Sequence, residues 1–159
     1  MNGTGSTDRQ SRHLGVRIDR TVDEVYAYAS GPANLPAWAH GLGGSMEQVA
    51  GRWFAASSPM GRVEVAFVPR NELGVLDHHV TLPSGQTVHN PVRVIADGTG
   101  SEVVFTVRRQ PGATDADFER DAETVAADLT RLKGVLESAQ GATGGHGTSA
   151  GSGNSAPSS

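Results

Sequence analysis

The sequence predicts an α+β domain in which a curved antiparallel sheet of about seven strands wraps a long C-terminal helix. Three observations predict it. Between residues 46 and 110, short alternating apolar runs are separated by turn-rich connections, the pattern of an antiparallel meander. The stretch TDADFERDAETVAADLTRLKGVLES carries Phe118, Ala122, Val125, Leu129, Leu132 and Leu136 at four-three spacing. That is one apolar stripe on a helix of ~24 residues, roughly 36 Å long. A lone alternating strand followed by two short helical segments precedes the meander.

The elements can be justified in order. In RHLGVRID, Leu14, Val16 and Ile18 alternate with Gly15 and Arg17, which predicts a strand. In TVDEVYAYAS, Thr21 and Glu24 have capping-box spacing, so a short helix is expected to Ala29. GPANLPAWAHG restarts at Pro32, a residue tolerated at the first helical position, and Pro36 prevents a long regular helix. Leu35 and Trp38 are expected to face inward, and GLGG (41–44) to end this helix and let a pocket gate flex. The strands SMEQVA, RWFAAS, RVEVAFV, VLDHHVTL, TVHNPVRVIA and EVVFTVRR follow, divided by Gly51, SPMG, PRNELG, PSG and DGTGS. Val63, Val65 and Phe67 share one face, as do Val103, Phe105 and Val107. Thr114 caps the long helix, with Asp117 three residues on and Asp115 adding favourable charge at its start.

The 159 residues predict one domain, with residues 12–138 folded. Residues 1–11 and the Gly/Ser-rich 139–159 have too little apolar surface to offset their ordering entropy and are expected to be disordered. His146 in that tail stands alone, which makes no metal site. The absence of cysteine excludes disulfides and thiolate chemistry and fits a cytoplasmic location. A net charge of −4 with scattered arginines argues against a nucleic-acid partner. No apolar run approaches the ~20 residues of a membrane span, and the N-terminus has no signal-peptide h-region. One lysine against twelve arginines reads as the codon bias of a GC-rich genome.

Only the C-terminal helix is long enough to cover the buried face of such a sheet, with the short helices plugging one end. A sheet curved around a helix leaves concave apolar space, where small ligands bind. This order, with VDEVYAYASGPANLPAWAHGL, SPMGRVEVAFVPRNELGVLDHHVTLP and FERDAETVAADLTRLKGVLE, resembles the SRPBCC superfamily. That superfamily includes START lipid-transfer domains, plant pathogenesis-related allergens and bacterial polyketide cyclases/dehydrases. The resemblance covers nearly all of the folded unit and implies a helix-grip fold. It transfers no catalytic residue, because the fold hosts carriers, cyclases, hormone sensors and co-chaperones without a shared catalytic motif. The first functional expectation is binding of a small hydrophobic or aromatic, lipid- or polyketide-like molecule between sheet and helix. The second is a polyketide cyclase/dehydratase-type enzyme, and the third a co-chaperone-like interaction module.

The hairpin VLDHHVTLPSGQTVHNPVRV (75–94) carries the polar candidates. Pairing Leu82 with Thr87, and Val68 with Val75, puts His78, His89 and Arg93 on the face of Val63, Val65 and Phe67. The same register sends Asp77 and His79 outward. The expected ligand-binding residues are then Trp38, Trp53, Phe67, His78, His89 and Arg93. Arg93 offers a fork of donors to a planar oxyanion. For catalysis, the candidates are His89, Arg93 and His78: a neutral imidazole takes an acidic proton beside a carbonyl while Arg93 stabilises the enolate. The plainer alternative makes the histidines hydrogen-bonded, half-buried structural residues, and the tryptophans ordinary core. No HxH or HExxH spacing prepares a metal site, and Asp77 faces away, so neither metal nor cofactor is expected. GLGG does not follow a strand and open a helix, so it is no phosphate loop, and no nucleophile elbow supports acyl-enzyme hydrolysis.

Overall fold

The computed structural model describes residues 10–143. Residues 1–9 and 144–159, with His146 and most of the two segments expected to be disordered, lie outside the described residues. The first alternation forms β1 (Ser11–Ile18), with Leu14, Val16 and Ile18 on one face. In α1 (Val22–Ala29), the Glu24 N–H donates to Thr21 Oγ1 at 3.2 Å. The reciprocal half of that capping box is replaced, because the Glu24 carboxylate turns to Arg20, 3.4 Å away. α2 (Leu35–Trp38) lies between two single 3₁₀ turns, and both Leu35 and Trp38 are buried. The glycine segment after it is tied at both ends: the His40 N–H donates to Asp128 Oδ1 at 3.1 Å, and Ser45 Oγ meets Ser57 Oγ at 3.2 Å.

Seven further strands follow: β2 (Met46–Val49), β3 (Arg52–Ser58), β4 (Gly61–Phe67), β5 (His78–Thr81), β6 (Thr87–Asn90), β7 (Val92–Asp97) and β8 (Gly100–Arg108). They run antiparallel as two ladders, β2-β3-β4-β5-β6 and β1-β8-β7. The eight strands exceed the seven expected because Pro91 divides one of them. Proline has no N–H for the ladder. Residues 87–90 therefore pair with β5, and residues 92–97 with β8. The ladders are joined where residues 74–76 run beside the start of β7, through Leu76 N–H to Val92 C=O and Val94 N–H to Gly74 C=O, both 2.9 Å.

α3 (Asp115–Thr143) spans 29 residues. Its capping box is complete: Asp117 N–H donates to Thr114 Oγ1 at 3.1 Å, and Thr114 N–H to Asp117 Oδ2 at 3.0 Å. The helix packs across β1 and β8 and against α2. Phe118, Ala122, Leu129, Leu132 and Leu136 of its stripe are buried. Each of the larger ones contributes about 1.5–3 kcal/mol by leaving water. Val125, midway along the stripe, stays partly exposed. Polar contacts fix both helix ends. Arg12 pairs with Glu119 and lies 4.9 Å over the Phe118 ring, while Lys133 Nζ reaches the Arg17 carbonyl at 2.8 Å.

Candidate functional site

The register of the 75–94 hairpin decides which polar residues meet the concave face. β4 and β5 pair as Val65↔Val80 and Phe67↔His78, so His78 does point inward with Phe67. The second turn closes one residue earlier than the pairing of Leu82 with Thr87 requires. Leu82 N–H bonds Gln86 C=O at 2.8 Å, Gly85 N–H bonds Leu82 C=O at 2.9 Å, and Gly85 has φ +89°. A three-residue loop ending in a left-handed glycine is a preferred hairpin geometry. β5 and β6 therefore pair as His78↔Asn90, His79↔His89 and Val80↔Val88. A one-residue slip exchanges the faces of the whole following strand. His89 and Arg93, expected inside, face outward; Val88, Asn90, Val92 and Val94 take the inner positions.

The junction of the two ladders shows what holds His78 and Asp77. In an antiparallel ladder, facing residues of a hydrogen-bonded pair exchange two N–H···O bonds. Leu76 and Val92 make only one. The two groups left over are satisfied by side chains on opposite faces. Val92 N–H donates to Asp77 Oδ1 at 2.9 Å on the outer face, and the Leu76 carbonyl meets His78 Nδ1 at 3.1 Å on the inner face. A carbonyl only accepts, so His78 Nδ1 carries the proton and Nε2 presents a lone pair. Burial disfavours the charged imidazole and pushes the His78 pKa down to about 4.

The His78 ring lies between two phenylalanines, 5.0 Å from Phe67 and 5.9 Å from Phe105, centroid to centroid. Its Nε2 takes no hydrogen bond from the described residues, yet it is not among their sealed, unpartnered polar atoms, which are Trp38 Nε1 and Ser101 Oγ. Trp53, Phe67, Val88, Asn90 and Phe105 share this inner face and remain partly exposed. Elsewhere on this face Ala55, Val63, Val65 and Val80 are buried in the core with Leu129, Leu132 and Leu136 of α3, so only the part around His78 is left partly exposed. A separate cavity of about 100 Å³ lies between α1 and the β4–β5 connection, lined among others by Tyr26, Phe67, Arg70 and Leu76. It is below the ~300 Å³ of a typical ligand pocket.

Of the residues expected to meet a ligand, Trp53, Phe67 and His78 share the concave face. Trp38 is buried in the core, its indole N–H sealed and unpartnered. His89 and Arg93 join Asp77 and His79 in an outer cluster. Arg93 pairs with Asp77, His89 Nε2 lies 3.6 Å from Asp77 Oδ2, and the rings of His79 and His89 stack at 4.8 Å. No group of three or more His, Cys, Asp or Glu among the described residues is arranged to hold a metal ion. No helix among them is long and apolar enough to cross a membrane. Sequence reasoning missed Asn90 and Phe105 as site residues. The signal for Asn90 was there: Val88, Asn90, Val92 and Val94 form an apolar alternation that one amide interrupts.

No family model matches this sequence, and neither does any curated protein. Solved structures do match its fold. The Aha1 dimer from Colwellia psychrerythraea aligns with a TM-score of 0.64 at 13% identity, over 80% of this chain and 96% of that one. Ara h 8.0201 aligns with a TM-score of 0.58 at 11% identity, over 82% of this chain and 99% of that one. DynU16, from the dynemicin biosynthetic locus, aligns with a TM-score of 0.61 at 12% identity over 81% of this chain. This chain spans only 48% of DynU16. With antiparallel ladders, two short helices after β1 and a long closing helix, the chain has the helix-grip fold that these solved structures share.

Proposed function

We propose that this domain binds a small, largely apolar, aromatic molecule on the concave face of its sheet, beside α3. One observation carries the reading: Trp53, Phe67, Val88 and Phe105 stand on the inner face and are left partly exposed, where a filled core would seal them. Aromatic walls with few placed polar groups are the usual lining of a ligand site. The similar structures support the reading only through their shared fold. A cyclase-type reading needs an imidazole and a guanidinium together on the concave face. Here Arg93 and His89 lie across the sheet from His78, which leaves that chemistry without its oxyanion group. An interaction module would use the outer surface, but the exposed large apolar residues are Val49 on β2, Ile95 on β7, Met60 in the β3–β4 turn and Leu73 in the β4–β5 connection, one to each segment.

The test is a titration of the purified protein with a panel of two-ring aromatics and fatty acids, read by tryptophan fluorescence and by thermal shift. Saturable binding is expected, weakened roughly tenfold by Phe105→Ala with the fold retained. A panel without a hit, together with no adduct in native mass spectrometry, would refute the proposal.

A further inference from the structure

The polar spot on the concave face constrains the ligand more narrowly than the apolar walls do. Directly opposite cross-strand residues have Cβ atoms roughly 4.5–5.5 Å apart and share a face. His78 and Asn90 are such a pair. His78 Nε2 is an acceptor, because its Nδ1–H is committed to the Leu76 carbonyl. The Asn90 side chain is partly exposed and engaged in no hydrogen bond with the described residues, which leaves both its amide N–H₂ and its carbonyl for a ligand. The acidic neighbours Glu64 and Asp77 point to the opposite face, where Arg52 and Arg93 neutralise them.

We infer that the molecule held here is a neutral aromatic carrying a hydroxyl group, phenolic or enolic, lying on the inner face against the Phe67, His78 and Phe105 rings, whose O–H donates to His78 Nε2 and whose oxygen accepts from the Asn90 amide. The inference rests on the concave-face reading above. A hydroxyl is the group that donates and accepts through one atom, which is what this pair offers. A carboxylate would suit Asn90 but would set its charge against the Nε2 lone pair. Burial adds to this by keeping the imidazole neutral, with its pKa near 4. An ammonium group could donate to both residues, but would be desolvated among aromatic rings with no carboxylate on that face.

The experiment compares four probes of one shape: 2-naphthol, 2-methoxynaphthalene, 2-naphthoate and 2-naphthylmethylammonium. Each is titrated calorimetrically at pH 7 into the wild-type chain and into Asn90→Leu and His78→Phe. The expected result is that naphthol binds roughly tenfold tighter than each of the others, the size of effect a positioned hydrogen bond and an avoided desolvation produce. Asn90→Leu, at a partly exposed position, should reduce that preference, and a folded His78→Phe should abolish it. Equal or tighter binding of the methyl ether or of naphthoate would overturn the hydroxyl inference while leaving the concave-face site standing. So would an unchanged preference in Asn90→Leu. If none of the four binds, the inference fails, and the concave-face reading fails with it only when the wider panel and native mass spectrometry are empty as well.

Discussion

His78 and His79 are neighbours in sequence and opposites in environment. The inner face of the β5–β6 hairpin puts His78 between two phenylalanines, buried, with its proton held by a backbone carbonyl. The outer face puts His79 against His89, exposed and stacked beside a carboxylate that Arg93 already neutralises. One face has an acceptor with nothing to accept from; the other satisfies its charges internally. The comparison teaches that the number of histidines in a hairpin says little about function. What matters is which side of the pleat each one meets, and here that is decided by where one turn closes.

The largest effect is expected where both faces are set at once, at the junction of the two ladders. Gly74 has φ +71°, and an added Cβ would lie 2.4 Å from the Val94 carbonyl oxygen. Gly74→Ala should therefore cost about 3 kcal/mol from strain and overpacking together, read as a lower midpoint in urea unfolding. A cost under about 1 kcal/mol would mean that this register is wrong.

Next comes acid, which separates the faces without mutation. The His78 pKa falls from an ordinary 6.5 unfolded to about 4 folded, so the unfolded chain binds the extra proton between those values. Its contribution is present above pH 6.5 and is lost as pH falls, by about 2 kcal/mol between pH 7 and 5, levelling off below about pH 4. Urea midpoints at pH 7 and 5 should show that loss in the wild type, and His78→Gln should flatten it. An equal slope in both proteins would place the proton elsewhere.

On the outer face, Asp77→Ala should cost about 1.5 kcal/mol by orphaning the Val92 N–H, and Asp77→Asn less, because its amide oxygen still accepts. If the two variants melt alike, the carboxylate matters for charge rather than for the ladder. The smallest effect belongs to His79→Ala, within about 0.5 kcal/mol, as for most exposed positions. A large loss there would show that the stacked pair is a structural element after all.

Much of the fold was legible because its signals are local. The four-three stripe of α3, the Thr114–Asp117 box and the alternation of Val63, Val65 and Phe67 each depend on residues within a turn or a strand. The candidate site was legible only in part. Phe67 and His78 survive on the inner face, because the β4–β5 register differs from the assumed one by two residues, which preserves the pleat. His89 and Arg93 do not, because the β5–β6 register differs by one. The alternation Val88, Asn90, Val92, Val94 was a better guide to that strand's faces than an assumed turn pairing.

The sequence by itself determined the element order, the capping residues Thr21 and Thr114 and the apolar stripe of α3, since each depends on residues within a turn or two of one another. Only the tertiary structure decided that Gly85 closes the loop on Gln86, that the ladder opens at Leu76 and Val92, and that His78 and Asp77 fill that opening from opposite sides. Pairing between strands is a long-range choice, made by how well two faces bury against the rest of the molecule. A shift of one residue there exchanges inside for outside without changing a single local preference.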